Sequence, residues 1–103
     1  MKTCITCGMP FEGAHVNDIG LETAEGPVCV FDSKDGAIKP SEEIFEGGVQ
    51  FFMSEAALGD RDLAERLTRK NMKYLAHWQA NPFAMLAGIE ATDQEFGEAM
   101  AKL

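Results

Sequence analysis

Two short elements with the same internal spacing constrain this chain more than any other feature. The first is C-I-T-C over residues 4–7 and the second is C-V-F-D over residues 29–32, and a glycine follows each, at Gly8 and Gly36. Two intervening residues let both side chains of a pair reach one tetrahedral metal ion, and glycine permits the turn that aims backbone N–H groups at sulfur. The pattern therefore predicts one metal site built from both pairs. Its predicted ligands are Cys4, Cys7, Cys29 and Asp32.

The donor set favours Zn²⁺, but the fourth ligand is less well determined than the three thiolates. Carboxylate oxygen binds zinc at about 2.0 to 2.2 Å, so Asp32 can complete the tetrahedron, although cysteine is commoner at structural sites. His15 is an alternative donor, but it lies between the two pairs without a paired spacing. Water is the third possibility. Asp32 is preferred, and the other two remain open.

Two other interpretations of the cysteines compete with a metal site. Three cysteines are an odd number, and two of them are close in sequence, which suits reduced thiolates better than a secreted disulfide framework. A redox Cys4-x-x-Cys7 motif would follow a strand and open a helix, whereas here Pro10 follows within three residues of Cys7. The cysteines could also be small buried apolar residues. The repeated spacing favours the metal site over both.

The same residues resemble the zinc-ribbon domain family of small proteins that open with a C-x-x-C-G-M-P element. The resemblance covers residues 4–78: CITCGMPF at the start, a second knuckle ending in Gly36, a helix beginning PSEEIF, and a helix ending near Trp78. It implies a zinc ribbon whose ligands include Cys4, Cys7 and Cys29. The family closes its site with a second C-x-x-C, and this chain has Asp32 at the fourth cysteine position. Residues 79–103 match nothing in that family.

Apolar patterning divides the chain near Pro40. Residues 1–39 are rich in turns and lack a 3.6-residue period, and strands are predicted over 28–31 and, more weakly, 19–23. Residues 40–103 are predicted to be helical. The expected fold class is α+β, with a small N-terminal zinc-ribbon module of short strands packed as one unit against three to four C-terminal helices.

The first two predicted helices follow from capping residues and apolar periodicity. One spans 41–57, with Ser41 as N-cap and with Gly47 and Gly48 allowing a close backbone approach or a kink. The next begins at an Asp60 cap and continues to Trp78 or Gln79. Its apolar face is predicted to hold Leu63, Leu67, Tyr74, Leu75 and Trp78. Its expected i,i+4 ion pairs are Asp62/Arg66 and Glu65/Arg69.

Two shorter helices are predicted after Gln79. Asn81-Pro82 offers a cap and a first-turn proline for a helix ending near Gly88. Thr92-Asp-Gln-Glu95 has the capping-box sequence that opens the last helix.

Charge and hydropathy limit the expected partners. The formal net charge is -8, with nine basic residues against seventeen acidic ones, so nucleic acid is not expected as a partner. No apolar run approaches the length of a membrane span, and the N-terminus lacks the apolar region of a signal peptide, so a cytoplasmic protein is expected. The expected partner is another protein or a second copy of the chain.

The function predicted from these features is that of a non-enzymatic zinc-binding protein with a structural site and a helical interaction surface. Four protein ligands leave no open coordination position for substrate, and Glu12, His15 and Asp35 lie near the site only in sequence. No catalytic residue is assigned. His77 is expected to interact with the dipole at a helix end. The alternative is a metal-dependent enzyme or metal sensor in which water takes the fourth position.

Overall fold

Two small antiparallel hairpins lie between Ile19 and Ile38, in the part of the chain before Pro40. The computed structural model describes residues 2–103 and has an α+β fold, as the sequence predicts, with the strands preceding the helices. The hairpins pair β1 with β2 and β3 with β4. Their strands are β1 (Ile19–Thr23), β2 (Gly26–Cys29), β3 (Ser33–Lys34) and β4 (Ala37–Ile38).

The first hairpin ends at Cys29, the first residue of the C-V-F-D turn that forms the second knuckle. Its register runs from Ile19 opposite Cys29 to Thr23 opposite Gly26, with an irregularity at Gly20. A Cβ on Gly20 would lie 2.8 Å from the Cα of Val30, so the backbones cross too closely for a side chain. The strand predicted over 28–31 therefore stops at Cys29. The chain turns there, and the side chains of residues 30–31 are exposed.

The second hairpin is closed by a two-residue turn of Asp35 and Gly36. Their φ angles are +53° and +78°, and positive φ at both central residues is the requirement of a type I′ turn, which Asp-Gly suits. The hairpin returns the chain past the second knuckle, where the Lys39 N–H donates to the Asp32 carbonyl at 2.9 Å. The turn chemistry thus fixes the backbone at Asp32.

Helices α1 (Ser41–Glu55) and α2 (Arg61–Lys73) pack against each other. A Cβ on Gly48 would lie 2.9 Å from the Thr68 side chain, which confirms the predicted close approach at Gly48, whereas a Cβ on Gly47 would meet nothing within 4 Å. The Asp60 cap is also confirmed, since its carboxylate accepts from the Leu63 N–H at 3.1 Å. The Ser41 cap is wrong: Pro40 holds the N-cap position, and Ser41 is already helical.

The long second helix predicted to reach Trp78 or Gln79 is broken. Helix α2 ends at Lys73, Leu75 is extended with φ −89° and ψ 128°, and a separate helix, α3 (Ala76–Ala80), follows. The break turns the chain, so that Trp78 is buried while Tyr74 is 65% exposed. The predicted placement of Tyr74 on the apolar face is therefore wrong.

The segment after α3 is less helical than predicted until its last element. A 3-10 turn at Ala84–Ala87 replaces the helix expected from Asn81-Pro82, and the Asn81 amide donates back to the His77 carbonyl at 2.9 Å. Helix α4 (Asp93–Met100) begins with the predicted capping box, in which Thr92 and Glu95 exchange both hydrogen bonds. This pair of contacts confirms the last helix.

Of the two ion pairs predicted on α2, one is formed. The Asp62 carboxylate lies 3.0 Å from the Arg66 guanidinium. Glu65 instead pairs with Arg61 at 3.0 Å, and Arg69 donates to the carbonyl of residue 85, where the chain passes α2.

Within residues 2–103, no helix has the length and apolar character needed to cross a membrane.

Two apolar cores lie under the two halves. Residues 2–39, with the two hairpins, are the ribbon half, and residues 40–103 are the helical half. The core of the ribbon half is small and consists of Cys4, Phe11, Val28 and Cys29. The helical core is larger and draws on every helix, including Phe45, Val49, Leu67 and Trp78. The Ile38 side chain packs against both cores, so the two halves are joined by apolar contact.

Candidate metal centre

The first knuckle, the C-I-T-C segment of residues 4–7 with Gly8 after it, is a tight turn that presents two sulfurs. The Gly8 N–H donates to the Cys4 carbonyl at 2.8 Å, and Gly8 has φ +79°, a conformation that favours glycine. Cys4 is fully buried, and Cys7 is partly exposed. The glycine after the C-x-x-C pair therefore closes the turn, as the sequence predicts.

The second knuckle follows β2 and is tied to the first by a hydrogen bond. The Cys29 N–H donates to the Cys4 sulfur at 3.3 Å, which is the kind of N–H to sulfur contact expected in such turns. The Asp32 N–H and the Ser33 hydroxyl both donate to the Cys29 carbonyl, at 3.2 and 2.9 Å. These bonds bring the side chains of Cys29 and Asp32 to the same side of the turn as the first knuckle.

The four predicted ligands converge. One ligand atom from each of the four residues lies within 4.8 Å of all the others. The Cys7 and Cys29 sulfurs are 3.8 Å apart, and all three cysteines are free thiols. Sulfurs that each lie 2.3 Å from one tetrahedral zinc would be separated by about 3.8 Å. The donor types and their spacing therefore fit a single metal ion.

A threonine that no sequence motif indicates joins the two knuckles. The Thr6 side chain is fully buried, and its hydroxyl donates to Asp32 Oδ2 at 2.7 Å. The Thr6 Oγ1 atom also lies 3.1 Å from the Cys4 sulfur. No spacing rule singles out an intervening residue of a C-x-x-C pair, so only the fold reveals this contact.

Protons are unevenly distributed over the cluster before a metal binds. The pKa of Cys4 is lowered, because the thiols of Cys29 and Cys7 donate to its sulfur. The corresponding hydrogen bond to Cys4 raises the pKa of Cys29 to about 12. Burial raises the pKa of Asp32, and the hydrogen bond from Thr6 opposes that shift. A metal ion must displace the remaining protons, so its binding is expected to weaken in acid.

The helices hold the first knuckle through its backbone. The Trp78 indole N–H donates to the Thr6 carbonyl at 2.9 Å, and the Asn71 amide donates to the Cys7 carbonyl at 3.0 Å. The sequence predicted Trp78 as a core residue and gave Asn71 no role. Two carbonyls of one knuckle are thus satisfied by side chains more than sixty positions away.

The histidines lie outside the cluster. His15, the alternative fourth ligand, is 2.8 Å from the Asp18 carboxylate on an exposed turn. His77 lies 3.1 Å from the Glu25 carboxylate, which links α3 to the β1–β2 turn. The group of close metal-ligating side chains within residues 2–103 includes Asp32 and neither histidine.

Comparisons with known proteins identified no relative of this chain. No family model, no curated protein and no solved structure matches this chain. The resemblance to zinc-ribbon proteins therefore rests on the residues quoted for it, and the case for the site rests on the geometry of this chain.

Proposed function

We propose that the chain is a non-enzymatic zinc-binding protein of zinc-ribbon type, in which one structural Zn²⁺ is held by the four clustered residues. The observation that carries the proposal is the convergence of three thiols and one carboxylate from two separate turns. Thiolate-rich tetrahedral sites with four protein ligands are typical of structural zinc. The ligands are Cys4, Cys7, Cys29 and Asp32.

The burial of the cluster supports a structural role for the ion. Cys4 and Cys29 are at most 1% exposed and Asp32 is 8% exposed, so little of the site faces solvent. The metal would join the first knuckle to the hairpins, and the contacts from Trp78 and Asn71 would join the knuckle to the helices. Zinc would thereby stabilise the arrangement of both halves.

A second candidate function is a metal-dependent enzyme or a metal sensor with an exchangeable ligand. It is favoured by one observation, the partial exposure of Cys7, which gives water a way to the cluster. It requires that Asp32 leave the metal. We place it second, because the Asp32 carboxylate is held by Thr6 and its backbone by Lys39.

The proposed partner is another protein or a second copy of the chain, and not nucleic acid. Four of the five basic side chains of α2 form ion pairs with acidic neighbours, and the fifth, Arg69, donates to backbone carbonyls, which leaves little charge to neutralise phosphates. Exposed apolar side chains lie on both halves and could contribute to such a contact. They include Val30, Phe31, Phe51 and Tyr74.

Native mass spectrometry together with size exclusion tests the proposal. Protein purified without chelator should carry about one zinc ion per chain, as a single tetrahedral site requires. The triple variant with Ser at positions 4, 7 and 29 serves as the control without thiolates, and His15→Ala as the control that keeps all four proposed ligands. Metal-free wild-type chains, in buffers that preserve zinc in a reference protein, would overturn the proposal. Retention of zinc by Asp32→Ala but not by His15→Ala would transfer the fourth position to His15.

A further inference from the structure

Thr6 occupies a position between two of the proposed ligands. Its hydroxyl lies 2.7 Å from Asp32 Oδ2 and 3.1 Å from the Cys4 sulfur, and its side chain has no solvent exposure. A hydroxyl has a single proton to donate. The shorter distance directs that proton to Asp32 Oδ2.

The hydroxyl is itself held in place by the fold. The Thr6 carbonyl accepts from the Trp78 indole, and the neighbouring Ile5 N–H donates to the Pro27 carbonyl at 3.0 Å. The backbone of this residue is therefore fixed from α3 on one side and from β2 on the other. A fixed hydroxyl can orient the Asp32 carboxylate that it contacts.

Orientation matters more for a carboxylate than for a thiolate. A cysteine offers one sulfur, whereas an aspartate can bind a metal through one oxygen or through both. Binding through both would raise the coordination number of a three-thiolate site from four to five. The hydrogen bond on Oδ2 leaves Oδ1 as the oxygen of Asp32 that is free of Thr6.

We propose that Thr6 is a positioning residue that restricts Asp32 to one metal-binding oxygen and so keeps the site four-coordinate. The Thr6–Asp32 pair then does the work of a fourth cysteine. This inference rests on the proposed function, because it needs a metal in the cluster. It concerns how the fourth ligand is held, which the ligand set alone does not determine.

The experiment compares Thr6→Val and Thr6→Ser in two backgrounds, the parent and Asp32→Cys. Zinc affinity is measured by competition with a chromophoric chelator. Thr6→Val keeps the shape but removes the hydroxyl, and it should weaken zinc binding by about 10- to 100-fold in the parent. Thr6→Ser should restore most of the affinity. In the Asp32→Cys background no carboxylate remains to be oriented, so Thr6→Val should change affinity by less than about threefold.

A Co²⁺-loaded sample gives a readout that a loss of stability alone would not move. Tetrahedral Co²⁺ absorbs visible light strongly, and the absorption falls when a fifth ligand is added. The parent and Thr6→Ser should show the strong bands, and Thr6→Val weaker ones. Thr68→Val is the matched control, since it removes another buried hydroxyl, which donates to the Ala64 carbonyl at 2.7 Å in α2. It should leave affinity and spectrum unchanged.

The outcomes separate the two proposals. If the wild-type protein binds no zinc, the proposed function fails, and this inference fails with it. If the wild type binds one zinc but Thr6→Val matches it in affinity and in Co²⁺ spectrum, only the inference is overturned. An equal loss in both backgrounds would also overturn it, because Thr6 would then act through Cys4 or through folding. Should Thr6→Val not fold, Thr6→Ala is taken through the same comparison.

Discussion

The two halves of this protein are stabilised by different means. The helical half buries thirteen residues in its core, and none of them is a proposed metal ligand. The ribbon half buries four, and two of these, Cys4 and Cys29, are proposed ligands. Hairpins with strands of two to five residues are marginally stable in isolation. The comparison indicates that apolar burial can sustain the helices. The ribbon half buries too little to do the same, so it relies on the helices that contact it and, under the proposed function, on a bound metal.

The largest expected effect is the unfolding of the ribbon half when the proposed metal site is disrupted. Cys29→Ser removes a thiolate from a site whose zinc binding is typically worth about 10 kcal/mol or more to a small domain. We expect the amides of β1 and β2 to lose hydrogen-exchange protection while those of α1 and α2 keep theirs. Chelation of the wild-type protein should give the same pattern.

Asp32→Ala provides the graded comparison for that experiment. It removes one carboxylate but leaves three thiolates, so zinc should be held less tightly than in the parent and more tightly than in Cys29→Ser. Asp32→Cys should bind more tightly than the parent, because a soft thiolate replaces a hard carboxylate. Persistent protection of β1 and β2 in the chelated protein would show that the ribbon does not depend on its metal.

A side-chain truncation in the helical core should do the opposite, lowering stability while leaving metal binding intact. Leu67 is fully buried between the helices, and Leu67→Ala should destabilise the protein by about 2 to 5 kcal/mol in urea denaturation. Under native conditions the variant should still bind one zinc. Ile89→Ala is the control, since that side chain is 78% exposed and its truncation should change stability little. Loss of zinc from folded Leu67→Ala would mean that the two halves are not separable in this way.

The contact between the halves should have an intermediate effect. Trp78→Phe keeps an aromatic ring but leaves the buried Thr6 carbonyl without its indole donor, which should destabilise the fold by about 1 to 3 kcal/mol. Tyr74→Phe is the matched control, because that ring is 65% exposed. Thermal unfolding of the zinc-loaded proteins would measure both. A Trp78→Phe variant no less stable than Tyr74→Phe would show that this hydrogen bond does not join the halves.

Trp78 also reports on the same contact in the wild-type protein. It is the single tryptophan in the chain and is 4% exposed. If chelation releases the knuckle from α3, its fluorescence emission should shift to longer wavelength. The shift ties the stability difference between the halves to a local event at their interface.

The sequence predicted the parts of the molecule that depend on local chemistry. The four clustered side chains follow from two pairs at equal spacing, and the last helix follows from the Thr92–Glu95 capping box. The strand at Ile19–Thr23 and the cap at Asp60 were also predicted, because alternation and side-chain capping act within a few residues.

The sequence-based predictions fail where tertiary contacts override local preference. The apolar period continues through Lys73 to Trp78, yet the helix breaks at Leu75, and the break places the indole on the Thr6 carbonyl. The strand predicted to reach Phe31 stops at Cys29, where the second knuckle turns. Thr6 was missed for the same reason, since its partner Asp32 is distant in sequence. Long-range partners of this kind leave no periodic signal.

The smallest expected effect lies within the helical half, in the surface pair between α1 and α2. Two hydrogen bonds from Arg61 lower the pKa of Glu46 to about 2, below its unfolded value near 4.5. Because the folded pKa is the lower one, the stabilisation is present above pH 4.5 and is lost as the pH falls towards 2. The Glu46 side chain is 44% exposed, so screening keeps the effect below about half that of Trp78→Phe. The stability difference between the parent and Glu46→Gln should therefore be small at neutral pH and should vanish as the pH falls from 4.5 to 2.

Metal loss in acid is common to both proteins and cancels in the difference. Glu55→Gln, which removes an exposed carboxylate at the end of the same helix, should show no such closure. A parent-to-variant difference that stays constant from pH 6 to pH 2 would mean that the Glu46–Arg61 pair does not stabilise the folded state.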